Sequence, residues 1–154
     1  MSDGLLIPPA DLRQSATALR IARGVRRHLH RCGFSTLTEL PLRSGRRADV
    51  VAVSARGEIR IIEIKSSLAD LRADLKWAEY RQHCDQLYFA TVAEVPEEAF
   101  PPDAGLMIAD GFDAAVIRAA PAHPLASATR KELLLRFARL AAYRLHQLVD
   151  PEIG

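Results

Sequence analysis

A chain of 154 residues and 17.0 kDa, 49% hydrophobic and 26% charged, suits one globular domain with a sizeable core and is too short for two enzyme domains. No run approaches the ~18 uninterrupted apolar residues of a membrane span, and residues 1–9 lack the basic and apolar regions of a secretory signal, so one cytoplasmic domain over residues 1–154 is expected, with no membrane role. The net charge of +2 is a cancellation: residues 1–47 hold nine Arg against three acids, residues 48–127 seven basic groups against thirteen acidic, and residues 128–154 five against three. A basic rim beside an acidic middle is expected where phosphates and a divalent cation meet, and equally of solvated Arg-rich helices.

Asp11 to Arg31 reads as a helix capped by Asp11, with Ala18, Leu19, Ala22, Val25 and Leu29 at three- and four-residue spacing before Gly33 stops it. Arg13, Arg20, Arg23, Arg27 and Arg31 fall in one wedge of its wheel, a ladder of guanidinium groups able to straddle phosphates or to face water. Three strand-like runs follow, 34–42, 48–54 and 58–65, separated by Gly-containing turns and read as a meander. A helix is expected from Ser67 to Cys84 with Leu68, Leu71, Leu75, Ala78 and Gln82 inward, then a buried strand over 85–92, a Pro- and Glu-rich loop, and short strands over 105–109 and 114–118. Ser127 opens a last helix to about Val149, its apolar side carrying Leu134, Phe137, Leu140, Ala141 and Leu145. Cys32 and Cys84, with no CxxC pair, argue against zinc, iron–sulfur and disulfide frameworks and read as small buried residues.

The chemistry is concentrated between Asp49 and Lys65. If Ala55-Arg56-Gly57 is a three-residue hairpin loop with Gly57 left-handed, Ser54 pairs with Glu58, and counting outward sets Asp49 opposite Glu63. Lys65, two residues on, projects from the same face. Two like charges within ~5 Å of each other call for a cation. A divalent metal fits, with Asp49, Glu63 and the Ile64 carbonyl as hard oxygen donors and Lys65 beside the water and the scissile phosphate. A plain salt bridge, Lys65 neutralising one acid, is the competing reading. Glu39 joins the metal site if the turn after Leu42 has three residues, and lies on the other face if Arg43 to Arg46 form a four-residue turn. Arg43, Arg46 and Arg47, crowded just before Asp49, are placed for phosphate, as are Arg20, Arg23 and Arg27 on the first helix. Trp77, on the helix after Lys65, reads as a packing residue in preference to a stacking platform for an unpaired base. The five His residues, His28, His30, His83, His123 and His146, have no partner at ligand spacing.

This order of helix, three-stranded meander, helix and strand, with Asp49 on the second strand and Glu63-Ile64-Lys65 on the third, resembles the PD-(D/E)xK nuclease superfamily, with Ala48 where its proline stands. Over nearly the whole chain, Arg46-Arg47-Ala48-Asp49, Glu63-Ile64-Lys65-Ser66-Ser67, Asp74-Leu75-Lys76-Trp77 with Tyr80, and Cys84-Asp85 before Tyr88-Phe89 resemble the MmcB family of bacterial DNA repair proteins. The resemblance implies an α/β, restriction-endonuclease-like three-layer sandwich, its central mixed sheet covered by helices on both faces. It further implies a DNA-repair setting, DNA and other repair proteins as partners, and a Mg²⁺- or Mn²⁺-dependent endo- or exodeoxyribonuclease with Asp49, Glu63 and Lys65 catalytic. In that superfamily the helix after the lysine contributes a polar residue to the site, which implies Lys76 or Tyr80 touching a phosphate near the metal. The rival is a catalytically silent nuclease-fold module that binds DNA or a repair partner.

Overall fold

The meander closes through two turns that place glycine in the left-handed region, Gly45 at φ 93° and Gly57 at φ 84°. Each is sealed by a backbone pair, Leu42 N–H to the Arg46 carbonyl (2.7 Å) in the first and Ser54 N–H to the Glu58 carbonyl (3.0 Å) in the second. The computed structural model describes residues 15–151. In chain order these form α1 (Ala16–Arg31), β1 (Ser35–Pro41), β2 (Arg47–Val53), β3 (Ile59–Ile64), α2 (Leu68–Ala73), a 3₁₀ segment (Trp77–His83) and β4 (Gln86–Thr91). A short 3₁₀ turn (Glu97–Ala99), β5 (Gly105–Ala109), β6 (Ala114–Arg118) and α3 (Ser127–Val149) complete them. The sheet runs β1-β2-β3-β4-β5-β6. β3, β4 and β5 are parallel neighbours, and the other pairings are antiparallel, which makes the sheet mixed.

Both faces of the sheet are covered because both faces of its central strands are apolar. On one, Ile21, Val25 and Leu29 of α1 pack on Val50, Ile62, Tyr88 and Met107. On the other, Leu133 of α3 and Tyr80 of the 3₁₀ segment pack on Val51, Ile59, Ile61 and Leu87, and a third cluster of Leu71, Phe89, Phe100 and Leu106 continues under α2. This is the three-layer α/β arrangement expected from the sequence. α1 lies so close to the β5–β6 turn that a Cβ on Gly24 would overlap the Asp110 carbonyl oxygen, so only glycine fits there.

Asp85 anchors α3 to the sheet. Its carboxylate accepts from the Ile59 N–H (2.8 Å), the Leu125 N–H (2.9 Å) and both terminal nitrogens of Arg130 (2.6 and 2.7 Å), and Arg130 also donates to the Gly57 carbonyl at 2.8 Å. Burial raises the Asp85 carboxyl, but these donors together hold it below the usual range.

Three expectations are corrected. The helix foreseen over 67–84 breaks after Ala73, because Asp74 leaves the helical region (φ −94°, ψ 92°) to reach Lys65, and its second oxygen accepts the Lys76 N–H at 3.2 Å. Leu75 is therefore turned out to solvent at 87% exposure, and Ala78 and Gln82 are exposed as well. Leu145 is also exposed. Cys32, at the end of α1, is exposed and only Cys84 is buried. Ser15 caps α1, its hydroxyl accepting the Ala18 N–H at 3.0 Å, while the cap expected at Asp11 and the arginine at Arg13 lie outside the described residues.

Candidate active site

Asp49 sits where β2 parts from both its neighbours. The β1–β2 ladder pairs Thr38 with Val50 and Leu40 with Ala48 but skips Glu39 and Asp49, and the β2–β3 ladder ends at Val50 with Ile62. Glu39 is the single non-glycine residue at positive φ (56°) among the described residues. The face alternation breaks there. Val50 and Ala52 belong to the core under α1, whereas Ala48, Leu40 and Leu42 belong to the core under α3. A left-handed residue without glycine's freedom costs on the order of 1 kcal/mol, and such strain gathers where side chains must be re-aimed.

The gap in the ladder is filled by the carboxylates. The Asp49 N–H donates to Glu63 Oε2 (3.0 Å), and the Ile64 N–H donates to Asp49 Oδ2 (2.8 Å), so each acid replaces a missing strand partner of the other's backbone. The two acids thus lie face to face, as the hairpin count from Gly57 predicts. The three-residue turn after Leu42 sets Glu39 opposite Asp49, which resolves its open position toward the site. Asp49, Glu63, Ile64, Lys65, Glu39 and Tyr80 line one cleft of about 510 Å³, together with Arg46 and Arg47 from the end of the meander.

Glu63 is 3% exposed and Lys65 7%. Burial, tempered by the Ile64 N–H and worsened by Glu39, pushes the Asp49 carboxyl up to about 6. Burial and then the charge of Asp49 hold the Glu63 carboxyl well above its ordinary range. Lys65 does not cancel these charges by contact, because its ammonium is bound to Asp74 Oδ2 at 2.8 Å. Asp74 is a residue that sequence reasoning left without a role in the site; its signal was the Asp74-Leu75-Lys76-Trp77 string, which carries part of the family resemblance. Asp70 accepts the Ser66 N–H at 3.1 Å and fixes the bend after Lys65.

Among the described residues no three His, Cys, Asp or Glu side chains form a ready metal cluster. The donor set nevertheless suits a hard divalent cation that keeps most of its waters: two adjoining acids, both raised chiefly by burial, in an open cleft.

The basic residues divide. Arg46 lies over the Tyr80 ring (5.8 Å) and donates to Glu79 at 3.1 Å, and Tyr80 donates to the Arg47 carbonyl at 3.2 Å. Arg43 is exposed in the turn, and Lys76 is exposed beyond α2; neither lines the cleft. The α1 ladder faces the β5–β6 turn instead: Arg23 lies over Phe112 at 5.4 Å, Arg27 donates to the Phe112 carbonyl at 2.7 Å, Arg31 pairs with Asp113, and Arg20 lies beside Gly111. Trp77 packs edge-on against Phe89 at 5.5 Å, the packing role read from the sequence.

The MmcB-like DNA repair protein family matches residues 7–152. The chain belongs to that family. Among solved structures, the SPO1766 protein of unknown function from Silicibacter pomeroyi is 45% identical, superposes with a TM-score of 0.86, and covers 92% of this chain and 97% of its own. No curated protein matches the chain. Family membership associates the chain with DNA repair, and among the described residues no helix is long and apolar enough to cross a membrane.

Proposed function

We propose that this member of the MmcB-like family hydrolyses phosphodiester bonds of DNA during repair, in the manner of a PD-(D/E)xK nuclease. The observation that carries the reading is the facing pair of half-buried Asp49 and buried Glu63, with Lys65 in the same cleft. Asp49 and Glu63, with the Ile64 carbonyl and Glu39 at the margin, would hold Mg²⁺ or Mn²⁺, which when bound supplies charge neutralisation at the phosphate and acidifies a water. Lys65 places a positive charge on the same side, where it offsets the negative charge that grows on the phosphate as the bond breaks. Asp74 orients that ammonium through the 2.8 Å pair. Arg46 and Arg47 meet flanking phosphates, which positions the DNA without reading its bases.

A second reading, a silent DNA-binding module, has one observation in its favour: the Lys65 ammonium is already occupied by Asp74. Incubation with branched, nicked, single- and double-stranded DNA plus Mg²⁺ or Mn²⁺, beside Asp49→Ala, decides between them. Nuclease action predicts metal-dependent cuts that the variant loses. The absence of cuts on every DNA form, with no divalent ion bound in calorimetry at millimolar concentration, refutes catalysis.

A further inference from the structure

A second hollow of about 730 Å³ runs between α1 and the edge strand β1, and Glu39 lines both it and the carboxylate cleft. Its walls carry Arg23, Arg26, Arg27, His30 and Arg31, and Glu39 is the one acid among its lining residues. The cations differ in what they already hold. Arg27 and Arg31 are engaged by the β5–β6 turn, whereas the Arg26 Nε donates only to the Thr36 hydroxyl, at 3.2 Å. From the opposite side α3 brings Arg144, whose guanidinium reaches the Glu39 carbonyl at 3.4 Å. Among the described residues neither Arg26 nor Arg144 is paired with a carboxylate. Burial lowers the Arg144 guanidinium, Glu39 pulls it back up, and the nearness of Arg26 lowers it further. Two guanidinium groups from separate helices, without a carboxylate partner among the described residues, thus flank β1 at Glu39, Arg26 in the wall of this hollow and Arg144 on the Glu39 carbonyl, an arrangement that an anion would relieve.

We propose that this groove seats the sugar-phosphate backbone of DNA on its way to the carboxylate cleft, with Arg26 and Arg144 gripping one phosphate beside Glu39. The assignment rests on the phosphodiesterase reading for the destination of the strand, but not for the binding itself. Among the described residues no Phe, Tyr or Trp lines the groove, and its cations are the groups suited to phosphate contacts. The arginine wedge read from the wheel lies toward the β5–β6 turn; the edge of α1 that faces β1 is the one carrying Arg26.

The test is fluorescence anisotropy of a labelled mixed-sequence DNA duplex with the full chain in EDTA, across a salt series. Arg26→Ala and Arg144→Ala should each weaken binding about tenfold at moderate salt, for all sequences alike, and each should lower the slope of log affinity against log salt by about one. Arg56→Ala, at the far tip of the β2–β3 hairpin, should leave both unchanged. Arg26→Lys and Arg144→Lys should restore most of the slope, which separates lost charge from lost packing, and thermal melts of each variant report folding. Unchanged affinity and slope in folded Ala variants overturns the proposal, as does wild-type binding to polyglutamate but not to DNA. If the variants lose DNA affinity while wild type cuts nothing with Mg²⁺, the groove stands and the nuclease reading falls.

Discussion

In the absence of divalent ions, the acids at the centre of the cleft should make the protein less stable as pH rises, and Asp49→Asn should remove the share of that slope due to Asp49. The Asp49 carboxyl is pushed from its ordinary 3.8 to about 6, first by burial. Between those values the folded chain keeps a proton that the unfolded chain has released. Stability therefore falls with rising pH across this window and stays lost above it. A gap from 3.8 to about 6, at ~1.4 kcal/mol per pH unit, amounts to about 3 kcal/mol. Glu63, also raised by burial and by Asp49, acts in the same direction. His83 opposes it, since burial lowers that imidazole and stability there grows as pH rises toward its unfolded value. Asp85, Asp103 and Asp110, all held low, stabilise above the ordinary carboxylate pKa and lose that contribution only in acid. These groups are common to wild type and variant, so the difference between the two isolates the site. Urea titrations in EDTA at pH 4 and pH 7 should show wild type losing about 3 kcal/mol relative to Asp49→Asn, about 1.5 M in midpoint for a slope near 2 kcal/mol/M. Adding Mg²⁺ at pH 7 should return much of it to wild type alone, the cation taking the place of the proton. A pH-independent difference would refute the reasoning and mean that Lys65, not a bound cation, balances these acids.

Two further outcomes follow from named contacts. Lys65→Ala should leave DNA affinity in EDTA and Mg²⁺ affinity in calorimetry nearly intact while abolishing cleavage, because its charge acts on the phosphate and is held by Asp74; a cleaving variant would remove Lys65 from the mechanism. Asp85→Ala should cost about 2–4 kcal/mol in urea unfolding, since it strands Arg130 and the Ile59 and Leu125 N–H groups, with DNA binding preserved when folded; a cost under about 1 kcal/mol would show that α3 is held by its apolar face alone.

What the sequence made legible depends on how far each inference reached. The Asp49–Glu63 pairing needed only a glycine in a three-residue turn and the period of two, both local, and the register from Val53 with Ile59 to Val50 with Ile62 leads to it directly. Glu39 hung on one residue of turn length, because Gly45 is compatible with a turn of three or four and a single step reverses the face. The Leu42–Arg46 pair settles that length, but nothing local announced the left-handed Glu39 that lets the ladder open around Asp49. The apolar spacing over 67–84 favoured an unbroken helix. Asp74 overrode it because a buried ammonium on the neighbouring strand offers a carboxylate more than one further helical turn would. The arginines show the remaining boundary. A wheel states which side chains share a face but not what the face meets, and the β5–β6 turn that occupies Arg23, Arg27 and Arg31 lies more than eighty residues along the chain from the last two. Arg144 lies 105 residues from Glu39 in sequence, and its arrival there depends on where Asp85 and Arg130 set the start of α3. The carboxylates of this cleft are thus a property of one hairpin, while the cations that would deliver DNA to it are a property of how two helices are docked.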